Sequence, residues 1–324
     1  MANYTIFSAN SLTEGTTAAD LFVVRTALAA TLVGNAGNDT LTAGPLASQF
    51  ANSQWLGGGG ADSIYLTANP ATNAGVASFL LGGGDDLLVG SALSTNVSTI
   101  LGGGGNDLIR LQGAGTNHID ANFNGNAGND QISASGGAFT RGLVAGGGGT
   151  DTINLETLGV TNLLTVNGGG GNDSIFLSAA GATNLSGIRI DGDTTQESEF
   201  FGNDSVSVQG ANMTASYVQL AGGNDIFQQA GVALGTTTTI EGGAGNDSIH
   251  IGLVAANSNV LLAAGAGIDT IIVSGGFAAG FGTIQGGGGA DIINVTAGAN
   301  AQLGNIIGGA DGDVIGLGVV NGVF

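Results

Sequence analysis

Thirteen aspartates recur along this 324-residue chain, each closing a glycine-rich loop and each followed two residues later by a large apolar side chain. They are Asp39, Asp62, Asp86, Asp107, Asp130, Asp151, Asp173, Asp204, Asp225, Asp247, Asp269, Asp291 and Asp313. Carboxylate and backbone carbonyl oxygens are the hard donors that Ca²⁺ binds in sets of about 6 to 8. If the fold aligned these loops, they could hold a row of divalent cations.

The spacing of the aspartates shows what must align them. Consecutive residue numbers differ by 23, 24, 21, 23, 21, 22, 31, 21, 22, 22, 22 and 22. A near-constant period predicts one structural unit repeated along the chain. Each unit, as in the segment from Gly102 to Asp130, contains two short alternating stretches and two turns. We therefore predict an all-β fold, a right-handed parallel β-solenoid (β-roll or β-helix) of about 13–14 coils with about 22 residues each.

Two apolar ladders are predicted to form the core. The position two after each aspartate holds Leu41, Ile64, Leu88, Ile109, Ile132, Ile153, Ile175, Val206, Phe227, Ile249, Ile271, Ile293 and Ile315. The position seven before it holds Leu32, Trp55, Ile100, Phe123, Val144, Val166, Ile240, Leu262, Ile284 and Ile306. The loops before Asp86 and Asp225 read as one residue short, so we expect Leu80 and either Gln219 or Leu220 on those rungs.

Composition excludes several classes of partner and site. The chain has a net charge of −20, with four Lys and Arg residues in total and no cysteine. Such a charge argues against binding nucleic acid, and no cysteine means neither disulfides nor thiolate metal sites. The stretch Met1–Thr5 lacks the character of a secretory signal peptide. The longest apolar candidate, Leu21–Val33, is short and contains Arg25, so we predict no membrane insertion.

Charge repulsion makes a cation at the aspartate column the favoured interpretation. Stacked coils would place neighbouring carboxylates about 4.8 Å apart, where like charges repel by roughly 3 kcal/mol at an effective dielectric near 20. Zinc would call for His or Cys ligands, and the two histidines, His118 and His250, stand at unrelated repeat positions.

These loops resemble the RTX (repeats-in-toxin) calcium-binding β-roll, whose repeat is G-G-x-G-x-D-x-U-x. The resemblance extends from about Gly34 to Leu317. It implies that glycine carbonyls and the closing aspartate of one loop share a Ca²⁺ ion with the loop one coil away. The implied ligands are the thirteen aspartates with Gly57, Gly59, Gly102, Gly104, Gly168, Gly170, Gly242, Gly286 and Gly288. Here one nonapeptide alternates with about thirteen unlike residues, so we expect one ion column on one edge.

The repeat also organises the rest of the chain. Residues 1–33 are predicted to form an N-terminal strand, Tyr4–Phe7, and a degenerate first coil with Asp20 in the loop position. Residues 34–317 form the solenoid, with an acidic insertion near 191–201, and residues 318–324 form an apolar tail. The insertion is either a solvated loop or an extra calcium site. The pairs Thr72-Asn73, Thr95-Asn96, Thr116-Asn117, Thr161-Asn162 and Thr183-Asn184 suggest an Asn ladder on the other turn.

Catalytic readings find little support, and we predict no enzymatic activity. The histidines are isolated, the glycine loops lack a lysine for phosphate, and no carboxylate pair suits a polysaccharide-active solenoid enzyme. By resemblance to RTX-bearing surface-layer (S-layer) proteins, we expect a secreted, cell-surface structural protein exported by type I secretion. It would fold with calcium and assemble with itself into a layer or filament, with cell-surface polysaccharide as a further partner. The alternative is a secreted calcium-binding adhesin or an ice- or glycan-binding module.

Overall fold

A computed structural model of the chain describes residues 1–6, 11–25, 29–43, 52–67, 77–91, 95–159, 161–193, 201–255, 258–275, 282–297 and 304–319. All regular structure in these ranges is β. The chain divides into two compact units, Met1–Gly159 and Val160–Phe324. Each unit is a β-solenoid of stacked parallel coils, as the repeat predicts.

The first unit contains sixteen strands in two parallel sheets. In chain order they are β1 (Asn3–Ile6), β2 (Leu12–Glu14), β3 (Leu21–Val24), β4 (Thr31–Ala36), β5 (Thr40–Ala43), β6 (Gln54–Gly59), β7 (Ser63–Thr67), β8 (Ser78–Gly83), β9 (Leu87–Ser91), β10 (Thr95–Asn96), β11 (Thr99–Gly104), β12 (Leu108–Ile119), β13 (Asn122–Ala127), β14 (Gln131–Thr140), β15 (Leu143–Gly148) and β16 (Thr152–Leu158). Strands β2, β4, β6, β8, β11, β13 and β15 form sheet B, and the others belong to sheet A.

The second unit repeats this plan with fifteen strands. They are β17 (Thr161–Asn162), β18 (Thr165–Gly170), β19 (Ser174–Ser186), β20 (Arg189–Asp193), β21 (Ser205–Thr214), β22 (Tyr217–Gly222), β23 (Ile226–Leu234), β24 (Thr239–Ala244), β25 (Ser248–Val254), β26 (Leu261–Ala266), β27 (Thr270–Val273), β28 (Thr283–Gly288), β29 (Ile292–Ala297), β30 (Asn305–Ala310) and β31 (Val314–Val319). The odd-numbered strands lie in sheet A and the even-numbered strands in sheet B.

The core of each unit lies between the inner faces of its two sheets, where the predicted ladders stack. Ile64 pairs in register with Leu41 and Leu88 in sheet A, and all three are fully buried. The sheets meet through aromatic rings, with Phe123 of sheet B 6.1 Å from Phe139 of sheet A, edge to face. Because only one face of each short strand is apolar, a coil buries its core side chains only by stacking on its neighbours. At the last described coil the ladder residue Ile315 is 44% exposed.

One detail of the register prediction was wrong. Phe79, not Leu80, pairs with Trp55 and Ile100, and it is buried. In the second unit Val218 occupies the corresponding rung, paired with Ile190 and Ile240. No residue is missing from these two loops, because a leucine simply replaces the first glycine: Leu81 before Asp86 and Leu220 before Asp225.

The predicted Asn ladder on the opposite turn does not form as expected. Asn96 pairs with Ile119, so it is out of register with Asn117. One Asn–Asn contact occurs in the second unit, where Asn212 Nδ2 donates to Asn184 Oδ1 at 3.1 Å. Thr72-Asn73, residues 194–200 of the acidic insertion and residues 320–324 of the apolar tail lie outside the described residues.

Candidate metal centre

The aspartates form one buried column along one edge of each unit. The side chains of Asp39, Asp62, Asp86, Asp107, Asp130 and Asp151 in the first unit, and of Asp173, Asp204, Asp225, Asp247, Asp269 and Asp291 in the second, are at most 2% exposed. Asp313, on the last described coil, is half-buried. Asp20 joins the column below Asp39, as the degenerate first coil predicts. Each aspartate stands between a loop and a sheet A strand, which turns its side chain into the coil.

Hydrogen bonds tie the column together. Within each unit, the backbone amide of an aspartate donates to Oδ1 of the aspartate one coil later: Asp39 to Asp62 at 2.7 Å, Asp62 to Asp86 at 2.6 Å and Asp107 to Asp130 at 2.7 Å. The second unit has the same ladder, with 2.7 Å from Asp204 to Asp225. One carboxylate oxygen per coil thus satisfies a buried backbone donor that the turn leaves unpaired.

A second ladder of hydrogen bonds, which was not predicted from the sequence, runs along the outside of the same edge. The side-chain oxygen of the residue before the aspartate accepts from the amide of the equivalent residue one coil later. Examples are Asn129 N to Asn106 Oδ1 at 2.8 Å and Asn246 N to Asn224 Oδ1 at 2.7 Å. The two ladders point in opposite directions along the stack. The recurring Asn-Asp dipeptide is the sequence feature from which this outer ladder could have been predicted.

In ten of these aspartates the other carboxylate oxygen, Oδ2, has no hydrogen-bond donor. Oδ2 is buried and unpartnered in Asp39, Asp62, Asp86, Asp107, Asp130, Asp204, Asp225, Asp247, Asp269 and Asp291. A carboxylate oxygen that has lost its water without gaining a partner is expensive to keep ionised. This repeated orphan atom is the feature of the column that calls for an explanation.

The predicted ligand glycines differ in their relation to Oδ2. A Cβ added to Gly57 would lie 2.3 Å from Asp62 Oδ2 and 2.0 Å from the Leu81 carbonyl oxygen of the next coil. Gly102 has the same relation to Asp107 Oδ2, at 2.1 Å, and to a carbonyl oxygen of the next coil, at 2.6 Å. The same convergence of Oδ2 and a carbonyl oxygen occurs at Gly34, Gly125, Gly168, Gly242 and Gly286. A carboxylate and a carbonyl oxygen therefore face one point in each such coil.

The third glycine of the loop makes a different contact. The carbonyl oxygens of Gly59, Gly104 and Gly288 each accept the amide of a loop residue one coil earlier, at 2.6–2.7 Å. These oxygens retain a second lone pair, but each already accepts a backbone hydrogen bond between coils. Gly170 ends β18 in the corresponding position.

Backbone conformation explains the other glycines of the loop. Gly58 and Gly60 have φ angles of 105° and 114°, and a Cβ on Gly58 would lie 1.8 Å from the Asn35 carbonyl oxygen. Positive φ at these two positions lets the chain turn within a few residues. Two of the four glycines of this loop are therefore explained by the turn itself, whatever the loop binds.

Burial raises the pKa of the column carboxyls. The pKa rises to about 7 for Asp62 and Asp107 and to about 8 for Asp225, in each case chiefly because burial disfavours the ion. Neighbouring carboxylates raise it further, while the amide hydrogen bond to Oδ1 lowers it. In a metal-free column these three carboxyls would therefore be partly or largely protonated near neutral pH.

Asp20 is the exception. Its Oδ1 accepts from Ala2 N at 2.7 Å, and its Oδ2 accepts from both the amide and the hydroxyl of Thr16, at 2.6 and 2.8 Å. These bonds, led by the Thr16 amide, lower the pKa of Asp20 below its ordinary value. The first carboxylate thus has donors for both oxygens and needs no further partner.

The donor set fits a hard cation with one carboxylate per coil. Within the described ranges, no three Asp, Glu, His or Cys side chains form a cluster that could hold a metal ion. Any ion here would depend on an aspartate oxygen together with backbone carbonyl oxygens. Oxygen donors of this kind favour Ca²⁺ over zinc or copper. The orphan Oδ2 is where such an ion would bind.

The two histidines lie apart from this column, in keeping with their unrelated repeat positions. His118 is buried in the core of the first unit, its ring 4.6 Å from that of Phe139. Burial lowers the pKa of its imidazole to about 4. His250 lies on β25, with Nε2 3.3 Å from Ser274 Oγ.

Comparison with family models, curated proteins and solved structures finds no match to this chain. Among the described residues, no helix has the length and apolar character needed to cross a membrane.

Proposed function

We propose that this chain is an extracellular structural protein whose coils fold on binding Ca²⁺ and which then assembles with further copies into a surface layer or filament. The observation that carries the proposal is the repeated buried Oδ2 without a hydrogen-bond donor. Such an oxygen needs a proton or a cation, because an ionised carboxylate is costly in a low-dielectric interior. At neutral pH, bound cations can neutralise the ionised carboxylates of the column without any of them having to take up a proton.

The ions would be held by the column aspartates together with the carbonyl oxygens that face Oδ2, those of Leu81 and Gly125 for example. Each bound ion would supply two positive charges between coils and so offset the repulsion of stacked carboxylates. Because the ligands come from different coils, binding and folding are coupled. A chain of this kind stays unfolded where calcium is scarce and folds at the roughly 10⁻⁴–10⁻³ M found outside cells.

The resemblance of the loops to RTX repeats supports the secreted location and the type I secretion route. It rests on the motif, in thirteen copies. The resemblance to surface-layer proteins is part of the same proposal.

Exposed apolar side chains support the assembly step. On β31, Ile315 and Leu317 continue the buried ladders of Ile293 and Val295 but are 44% and 56% exposed, because no described coil packs on them. An open parallel edge with apolar side chains is a surface on which further strands can stack. We propose that a second copy of the chain covers it.

The test compares metal-free protein with the same protein after calcium addition. We expect the far-ultraviolet circular dichroism spectrum to change from unfolded to β at neutral pH, with several Ca²⁺ bound per chain by elemental analysis. Electron microscopy of the calcium-loaded protein should show layers or filaments. Magnesium at equal concentration is the control, because its small octahedral shell suits these carbonyl-rich loops poorly. An unchanged β spectrum with no bound calcium would overturn the folding step, and a strictly monomeric loaded protein would overturn assembly.

A second candidate function, binding of an acidic polysaccharide, is favoured by a groove in the first unit. Strands β12, β14 and β16 enclose about 390 Å³ on the outer face of sheet A. The small side chains Ser133 and Ser135 line its middle, between Arg110 on one side and Asn154 and Glu156 on the other. Both ion pairs in the described ranges belong to other arginines, which leaves the Arg110 guanidinium able to bind a sugar carboxylate.

Binding of uronic-acid oligosaccharides tests this candidate. We expect Arg110→Gln to weaken binding at least tenfold and Glu156→Gln not to weaken it, because the second change removes a negative charge that lines the groove of an anionic ligand. Arg141→Gln is the matched control, since Arg141 pairs with Asp120 outside the groove. Equal binding by Arg110→Gln and the unaltered protein would exclude this groove.

A further inference from the structure

The coil between Asp173 and Asp204 is interrupted inside its glycine loop. Its strand β20 ends at Asp193, which pairs in register with Gly169 of the preceding coil. The described chain resumes at Phe201, followed by Gly202 and Asn203 in the usual positions before the closing aspartate. Asp193 therefore stands where the regular loops have their second glycine, and this coil carries two loop aspartates.

The second aspartate is buried and takes over a backbone contact. Asp193 is 1% exposed, and its two oxygens lie 3.2 and 3.3 Å from the amide nitrogen of Gly202, which donates to them. In the next coil the equivalent amide, that of Gly223, donates instead to a carbonyl oxygen, that of Ala244, at 2.8 Å. Here a charged carboxylate replaces a neutral carbonyl as the acceptor. The amide contacts leave it further lone pairs.

Asp204 brings a second charge to the same loop. Its Oδ1 accepts from the Asp173 amide at 2.8 Å, and its Oδ2 is buried without a donor. A Cβ on Gly192, the residue before Asp193, would lie 2.4 Å from that Oδ2 and 2.8 Å from the Leu220 carbonyl oxygen. Asp193 and Asp204 are close enough to repel, which adds to burial in raising the pKa of Asp193 to about 7.

We propose that Asp193 and Asp204 together form the tightest cation site of the chain, a two-carboxylate Ca²⁺ site within a column of one-carboxylate sites. This inference rests on the proposed function and adds a rank order to its ions. Calcium affinity rises with the charge of the ligand set, so the interrupted coil fills first as calcium increases.

The experiment is a calcium titration of the full chain by calorimetry, with terbium luminescence as an independent reading of bound metal. The unaltered protein is expected to show one ion in a tight class and the remainder in weaker sites. Asp193→Asn should remove the tight class, weakening that ion at least tenfold, while keeping an oxygen to accept the Gly202 amide. Asp62→Asn is the matched control: it should leave the tight class in place and remove one weaker ion.

The outcomes separate this inference from the proposed function. No binding of calcium or terbium to the unaltered protein would overturn both. Binding in one uniform class, or a tight class that survives Asp193→Asn, would overturn only the two-carboxylate site. Should Asp193→Asn fail to fold, Asp193→Ser is measured in its place. The unaltered protein alone already decides whether a separate tight class exists.

Discussion

Asp20 and Asp62 occupy the same position of their coils but have opposite electrostatic surroundings. Oδ2 of Asp20 accepts two hydrogen bonds from Thr16, whereas Oδ2 of Asp62 is buried without a donor. The pKa of Asp20 is lowered, and that of Asp62 is raised to about 7. The first coil thus shows how this fold satisfies a carboxylate with its own groups. The interior coils show the same carboxylate in need of something from outside the chain.

The largest expected effect is the pH dependence of the metal-free protein. A folded-state pKa near 7 against 3.8 in the unfolded chain means that the folded state binds more protons between these values. Stability should therefore fall as pH rises from 5 to 8, by up to about 1.4 kcal/mol per pH unit for each such aspartate. Asp20, with its lowered pKa, contributes stability that is lost only as pH falls into the acid range. The β signal of metal-free protein in circular dichroism, followed from pH 5 to pH 8, measures the trend and should be largest at pH 5.

Calcium should reverse this trend, because protons and Ca²⁺ compete for Oδ2. The calcium-loaded protein is the control, expected to be more stable at pH 8 than at pH 5. Metal-free protein that gains stability between pH 5 and 8 would show that the column carboxyls find donors of their own.

Two substitutions test the difference between Asp20 and Asp62 directly. In metal-free protein, Asp62→Asn should raise the pH at which the β fold is lost, by a stabilisation on the order of 2 kcal/mol at pH 8, because it removes a buried charge and keeps an oxygen for the Asp39 amide. Asp20→Asn should destabilise it, since the ionised carboxylate there is the better acceptor for Thr16 and Ala2. With calcium present, both substitutions should destabilise. These cases are distinguished by the pH at which metal-free protein loses its β signal and by thermal unfolding of the calcium-loaded protein. Shifts in the same direction for both variants in metal-free protein would contradict the contrast.

A graded set of smaller to neutral effects is expected at the glycines beside the column. Gly57→Ala would place a methyl group 2.0 Å from a carbonyl oxygen and 2.3 Å from Asp62 Oδ2, and should cost about 1–3 kcal/mol. Gly15→Ala, beside Asp20, should cost less, because its nearest atoms are 2.7 and 2.9 Å away. Gly59→Ala is the control, with no neighbour within 4 Å, and should be neutral in urea unfolding. Equal losses at Gly57 and Gly59 would mean that the contact with Oδ2 carries no weight.

The sequence predicted the repeating features well, because a stack gives equivalent residues equivalent neighbours. Ile64 and Trp55 lie in the core because their alternation and spacing require it. Exceptions to the repeat were harder: Leu81 in a glycine position led to a wrong rung assignment, and Asn96 proved out of register with Asn117. Spacing locates a residue on a coil, but it does not specify how long each turn is.

Hydrogen-bond partners were largely beyond prediction. That Oδ1 of Asp62 would accept an amide while Oδ2 stays unpartnered depends on one side-chain torsion. The Thr16 contacts of Asp20 depend on the conformation of the first loop. To predict the outer-ladder contact of Asn106, one must know that the residues before successive aspartates stack in register. The charge and the repeat period indicate a cation, whereas only the structure shows which carboxylate oxygen is left without a donor.

The opposed Asp and Asn ladders also bear on how the chain can change in length. Shifting any loop by one residue would turn a buried carboxylate outward and break bonds to both neighbouring coils, so this edge fixes the frame of every coil. Differences of a few residues between coils are absorbed elsewhere, as in the 21- to 24-residue spacings. Guest peptides inserted at the turn opposite the aspartate column should be displayed at regular intervals along each unit. This makes the fold a candidate scaffold for repetitive display.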